Sequence, residues 1–164
     1  MPRRQRGFII NPYVYAVAGG TTYTHRYWRV LISSNNGSGF VSIGEVFFVD
    51  GGGVDISTAG KTYAASASLG GAYTAAAAFN GSINGTSYWA ANAGGSLPQW
   101  LSIDFGSAVT VGRVDIGMST SASASEAPRN FDIQSSDNNS TWTTRKSVTA
   151  QTFTPLGTRF QFAF

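Results

Sequence analysis

The sequence predicts an all-β chain folded as an antiparallel β-sandwich, and three observations predict it. Apolar and polar side chains alternate with period two, clusters of Gly, Asn and Ser interrupt the alternation at short intervals, and no helical period is sustained. In RYWRVLIS, Trp28, Val30 and Ile32 share one face and Arg29 and Ser33 the other. In FVSIGEVFFV, Val41, Ile43, Phe47 and Val49 are expected on a common face that also carries Glu45. QWLSIDFG buries Leu101, Ile103 and Phe105, turns Asp104 outward to brace a neighbouring loop, and is expected to end at Phe105-Gly106. In VTVGRVDIGM the apolar parity changes between Val111 and Val114, which predicts a β-bulge at Gly112 or Arg113. Ser136-Asp137-Asn138-Asn139 has the composition of a hairpin turn. The final TRFQFAF sets Phe160, Phe162 and Phe164 against Arg159, Gln161 and Ala163. One helical piece, about a turn, is expected in AYTAAAAF, residues 72–79, and loops at 50–60, 66–72, 84–98 and 119–127. On a sandwich such loops carry recognition.

A length of 164 residues suits one domain with a tail. The absence of Cys excludes disulfides and thiolate metal sites, so packing must stabilise the fold. Only 12% of residues are charged, about half the share in an ordinary soluble domain, a profile that suits an extracellular or particle surface. The net charge is +3, and Arg3, Arg4 and Arg6 account for all of it. No basic stripe is left for a folded nucleic-acid face, and no apolar run is long enough to span a membrane. His25 is the only His, which removes two-His metal sites and a Ser-His pair elsewhere, and no carboxylates are paired by motif. The expected protein is not an enzyme.

Three stretches, AAAAFNGSINGTSYW (75–89), PQWLSIDFGSAVTVGRVDI (98–116) and APRNFDIQSSDNNSTW (127–142), together resemble the discoidin family, the coagulation factor 5/8 type C or galactose-binding-like domains. The resemblance implies a jelly-roll sandwich and glycan binding at one end of it. It also implies a circular permutation, because the segment HRYWRVLISSNNGSGFVSIGEVFFVD, residues 25–50, comes first here and at the domain's end in most members. The C-terminal strand is then expected near Tyr27 to Ile32. This arrangement behind a basic Asn-Pro-Tyr segment resembles small bacteriophage structural proteins. Carried over from the family, Glu45, Asn80 and Thr86 are the positions of a structural calcium site, with Asn80 standing where the family has Asp. Loss of that charge lowers the affinity for a hard cation.

Glycan recognition needs flat apolar faces for sugar rings and polar groups for hydroxyls. Tyr73, Tyr88, Trp89, Asn92, Glu126 and Arg129 fall in or beside the expected loops. Tyr73, Tyr88 and Arg129 are expected to edge a shallow sugar site, whereas an aromatic in an Ala/Gly loop such as Trp89 is more often a packing anchor than a ligand platform. Trp28, Trp100 and Trp142 are assigned to the core.

The first residues, MPRRQRGFIINPYVYAVAGG, have the outline of a secretory signal ending in Ala16-Val17-Ala18, but Asn11-Pro12 interrupts the apolar run. Residues 1–22 are read instead as a retained arm and 23–164 as the sandwich domain. Phe8, Ile9, Ile10, Tyr13 and Tyr15 would meet an apolar partner surface and Arg3, Arg4 and Arg6 its acidic rim, with strand addition to a neighbouring subunit as one mode. The expectation is a homo-oligomeric bacteriophage virion component, a tail, fibre or head-decoration protein, attaching to host-surface glycans. The alternatives are a structural adaptor with protein contacts only and a secreted carbohydrate-binding module.

Overall fold

The computed structural model describes residues 20–58, 60–94 and 96–164. The arm residues named above therefore lie outside the described residues. The chain forms an antiparallel β-sandwich from β1 (Tyr23–Asn35), β2 (Phe40–Ile43), β3 (Glu45–Val49), β4 (Thr62–Ala65), β5 (Trp89–Asn92), β6 (Gln99–Val111), β7 (Arg113–Gly117), β8 (Pro128–Ser136), β9 (Thr143–Val148) and β10 (Arg159–Ala163). Two 3-10 turns, Ala75–Phe79 and Ala124–Glu126, interrupt the loops.

One layer is a five-stranded sheet in the order β4-β6-β1-β8-β9; opposite it lie the sheets β10-β7-β3 and β2-β5. β1 runs through the centre of the large sheet, pairing Trp28 with Ile103 on one side and with Ser135 on the other. Its inward residues Trp28, Val30 and Ile32 are fully buried, as the alternation requires. Aromatic contacts join the layers: Trp28 lies 5.9 Å from Phe48, Phe105 5.9 Å from Phe48, and Phe131 5.2 Å from Phe162. Each such pair adds about 0.5–1.5 kcal/mol beyond the area it buries. The C-terminal strand pairs with β7 rather than with β1, yet Phe164 stacks on Trp28 at 5.6 Å and meets Tyr23 edge-on.

Two parity changes in the sequence are corners. Val41 and Ile43 point into the core from β2, and Val46 and Phe48 do so from β3, so the face shared by Val41, Ile43, Phe47 and Val49 does not exist. The chain leaves one sheet for another at Gly44, whose N–H donates to Gly117 O at 2.9 Å. A Cβ at Gly44 would lie 2.4 Å from Ser119 N, so only Gly permits this approach. The expected bulge at Gly112 is likewise a change of sheet: β6 belongs to the five-stranded sheet and β7 to the three-stranded one, with Gly112 N–H donating to Val49 O at 2.8 Å. The register irregularity of β6 lies earlier, where Asp104 faces Tyr27 and Val109 faces His25. Gly106, at φ 79°, takes up the extra residues there and the strand continues past it. The expected loop 84–98 contains β5, paired antiparallel with β2.

Candidate functional site

The loop residues assigned to a sugar site fall into separate places. Tyr73 and Tyr88 meet edge to face at 4.9 Å, and the Ala90 N–H donates to Tyr73 O. Glu126, in the second 3-10 turn, accepts the hydroxyl of buried Ser42 at 2.9 Å. Burial pushes the Tyr88 phenol up, and Tyr73 and the Glu126 carboxylate add to the shift. This cluster offers a half-buried ring, the edge of a second ring that is 8% exposed, and a carboxylate that can accept from hydroxyls.

The other assigned residues do not join it. Trp89 is 0% exposed and spends its indole N–H on Ala67 O at 2.9 Å, so it anchors the core and cannot stack on a sugar. Asn92 lies at the far end of β5, where its Oδ1 accepts the Gly94 N–H. Arg129 is exposed on β8, and among the described residues it makes no side-chain hydrogen bond to the tyrosine pair.

Glu45, Asn80 and Thr86 test the calcium assignment. Asn80 has αR backbone angles (φ −93°, ψ 0°) and Gly81 a left-handed φ of 82°, so their N–H groups converge on one point. Such a turn is an anion nest. Glu45, fully buried at the start of β3, fills it: Oε2 accepts Asn80 N–H at 3.2 Å and Oε1 accepts Gly81 N–H at 3.0 Å. Asn80 donates from Nδ2 to Ala77 O and accepts Ser82 N–H on Oδ1, while Thr86 is exposed and bonds to neither residue. Both carboxylate oxygens therefore face backbone N–H donors. Burial raises the Glu45 carboxyl from 4.5 to about 7 against the opposing pull of the amides.

His25 stands at the N-terminal end of β1 between Asp137 and Arg145. Arg145 can only donate, so the contact at 2.7 Å makes Nε2 the acceptor, and Nδ1–H then donates to the Asp137 carboxylate at 3.0 Å. The ring is thus committed to the hairpin at Asp137–Asn139. Asp104 braces its own irregular strand and β1 rather than a neighbouring loop: it accepts Gly106 N–H at 2.7 Å and pairs with Arg26 through two bonds of 2.8 and 2.9 Å, which hold its carboxyl below the usual range.

Sequence reasoning missed the two remaining tryptophans. Trp100 and Trp142 are half-buried rather than core, and with Arg29 and Asn139 they line a cleft of about 160 Å³ on the outer face of the five-stranded sheet. The alternation that buries Leu101, Ile103 and Phe105 already places Trp100 on the opposite face.

Comparisons with curated proteins and with solved structures return no match. A family model of the F5/F8 type C class, described as NedA-like, galactose-binding domain, matches residues 77–164. That span holds β5 to β10, which supply strands to all three sheets, together with Tyr88 and Glu126. By fold and by sequence over more than half its length, the chain belongs to the F5/F8 type C, NedA-like galactose-binding domain family.

Proposed function

We propose that the protein is a non-catalytic glycan-binding domain carried on a bacteriophage virion, a tail, fibre or head-decoration component that attaches the particle to host-surface sugars. The observation that carries the glycan half of this reading is the family membership of residues 77–164. Tyr73, Tyr88 and Glu126 are the groups offered to the sugar: the half-buried Tyr73 ring packs against its C–H face and the carboxylate takes its hydroxyls. No metal is given a part.

The virion half rests on the composition of residues 1–22, where Arg3, Arg4 and Arg6 precede Phe8, Ile9, Ile10, Tyr13 and Tyr15. A basic, aromatic segment of this kind suits docking on a neighbouring subunit of an oligomeric particle. The permuted order of the domain belongs to the same reading; the contact of Phe164 with Tyr23 supports it by bringing the domain's two ends together.

A glycan array probed with the full chain and with Tyr73→Ala and Glu126→Gln variants tests the first half. Binding that drops about tenfold in each variant is expected, and an array with no signal for the full chain overturns it. Deleting residues 2–20 tests the second half: loss of particle incorporation with a folded domain left is expected, and unaltered incorporation refutes the anchoring role. A domain that binds glycan and never enters a particle would be a secreted module, and one that enters particles without binding sugar would be a protein-only adaptor.

A further inference from the structure

The four tryptophans divide into two kinds. Trp28 and Trp89 are fully buried, and each donates its indole N–H to a backbone carbonyl, His25 O and Ala67 O respectively. Trp100 and Trp142 are half-buried, and among the described residues neither indole N–H has a protein acceptor. Both line the same cleft.

The cleft is built on the middle of the large sheet. Leu31 pairs with Trp100 across β6, and Arg29 pairs with Ser102 on one side and Gln134 on the other, so these residues share the outer face. Trp142, from the β8–β9 connection, lies over Arg29 with the guanidinium carbon 4.2 Å from the ring centroid. Asn139 is fixed beside it by a left-handed turn with φ 56°. Arg29 Nε donates to Gln134 Oε1 at 2.7 Å, and Gln134 Nε2 in turn donates to Thr144 Oγ1 at 3.0 Å. That chain fixes the guanidinium plane and occupies only one of its nitrogens. No carboxylate lies within ion-pair distance of Arg29 among the described residues, although Arg26, Arg113 and Arg159 each have one. The result is an oriented guanidinium with no ion-pair partner among the described residues, the Asp132 carboxylate being reached only through Gln134 and Thr144, and with two terminal nitrogens that have no protein acceptor there; it stacks on Trp142 in the cleft that Trp100 also lines.

We propose that this cleft is a second binding site, separate from the loop cluster, for a single acidic sugar ring such as a uronic acid residue. The ring packs against Trp100 and Trp142, its carboxylate takes the two terminal nitrogens of Arg29 as a bidentate pair, and its hydroxyls take the indole N–H groups and the Asn139 amide. The cleft volume of about 160 Å³ is below the roughly 300 Å³ at which pockets begin to hold drug-sized ligands, and it limits occupancy to one ring. The stacked, planar fork also sets the preference for Arg over Lys at this position.

The test titrates the full chain with methyl β-glucuronide and with methyl β-glucoside, which differ in the carboxylate alone, and follows the four indole N–H signals in nitrogen–proton correlation spectra. Saturable shifts of the Trp100 and Trp142 signals with the glucuronide are expected, with those of Trp28 and Trp89 unmoved. Arg29→Lys and Arg29→Gln should each weaken the glucuronide at least tenfold while the Trp28 and Trp89 signals report an intact core. Equal response to the two sugars, Trp100 and Trp142 signals that do not move, or unchanged affinity in both Arg29 variants overturns the proposal. A Tyr73→Ala chain should bind the glucuronide as the wild type does, so failure at one site is read separately from failure at the other.

Discussion

Substituting Glu45 by Gln should change how stability depends on pH. Glu45 is fully buried with its carboxyl raised from 4.5 to about 7, burial outweighing the Asn80 and Gly81 amides that favour the anion. The unfolded chain releases this proton near 4.5 and the folded chain keeps it to about 7. Between those values the folded state binds more protons, so stability falls as pH rises, by about 1.4 kcal/mol per unit. Across the whole window the loss is about 3 kcal/mol; below it the group contributes nothing to the slope, and above it the loss is complete. The amide introduced by Glu45→Gln resembles the protonated side chain, neutral with one acceptor for the nest, and lacks the titration. Urea unfolding followed by tryptophan fluorescence at intervals from pH 4 to pH 8 should show the two proteins close at the acid end. The variant should be the more stable by about 3 kcal/mol at the alkaline end, which for a chain of this size is roughly 6–12 °C in Tm. Taking the difference between the proteins cancels the other carboxylates, Asp104 included. Parallel stability curves would refute the reasoning, because they would mean that the nest keeps Glu45 ionised throughout.

Gly44→Ala places a methyl 2.4 Å from Ser119 N and 2.8 Å from Gly117 O, both backbone atoms that cannot turn aside; a loss of about 3 kcal/mol by denaturant unfolding is expected. Asp115→Ala leaves Arg113 and Arg159 without the buried carboxylate that takes both at 3.0 and 2.7 Å, and the cost by the same measurement should be about 3 kcal/mol, at the low end for a broken buried pair because both guanidiniums reach solvent. Excess calcium or a chelator should leave Tm unchanged by differential scanning fluorimetry, since the N–H donors of Asn80 and Gly81 occupy both Glu45 oxygens.

Alternation in the sequence located β1, β6 and β10 because each has one face on the core, so that period two records burial directly. It failed where a strand changes partners. Counting parity through Gly44 or Gly112 assumes one continuous sheet, and the close backbone approaches that make these corners leave no trace except the glycine itself. β5 lies inside residues 84–98, whose Gly, Ser and Asn content marks a loop, and pairing with β2 makes Trp89–Asn92 a strand nonetheless. For the site residues, composition did not separate loop from core or strand: Trp89 is core, Asn92 and Arg129 lie on strands, and Trp100 and Trp142 are half-buried. Tyr73 meets Tyr88 edge to face and Glu126 is held near Tyr88 by Ser42 of β2, and no spacing in the chain encodes that arrangement.

The same corners deliver Glu45 to the Asn80-Gly81 turn. Crossing between sheets at Gly44 reverses the parity of β3, so Val46 and Phe48 enter the core and Glu45 falls on the other side, beside Gly117 and the end of the first 3-10 turn. A carboxylate delivered there meets two converging backbone N–H groups. A charged Asp in place of Asn80 would add repulsion to Glu45 and raise its carboxyl further, whereas Asn80 is neutral and closes the turn onto Ala77 and Ser82 with its own amide. Internal hydrogen bonds organise this turn, and its stability is tied to the protonation of Glu45.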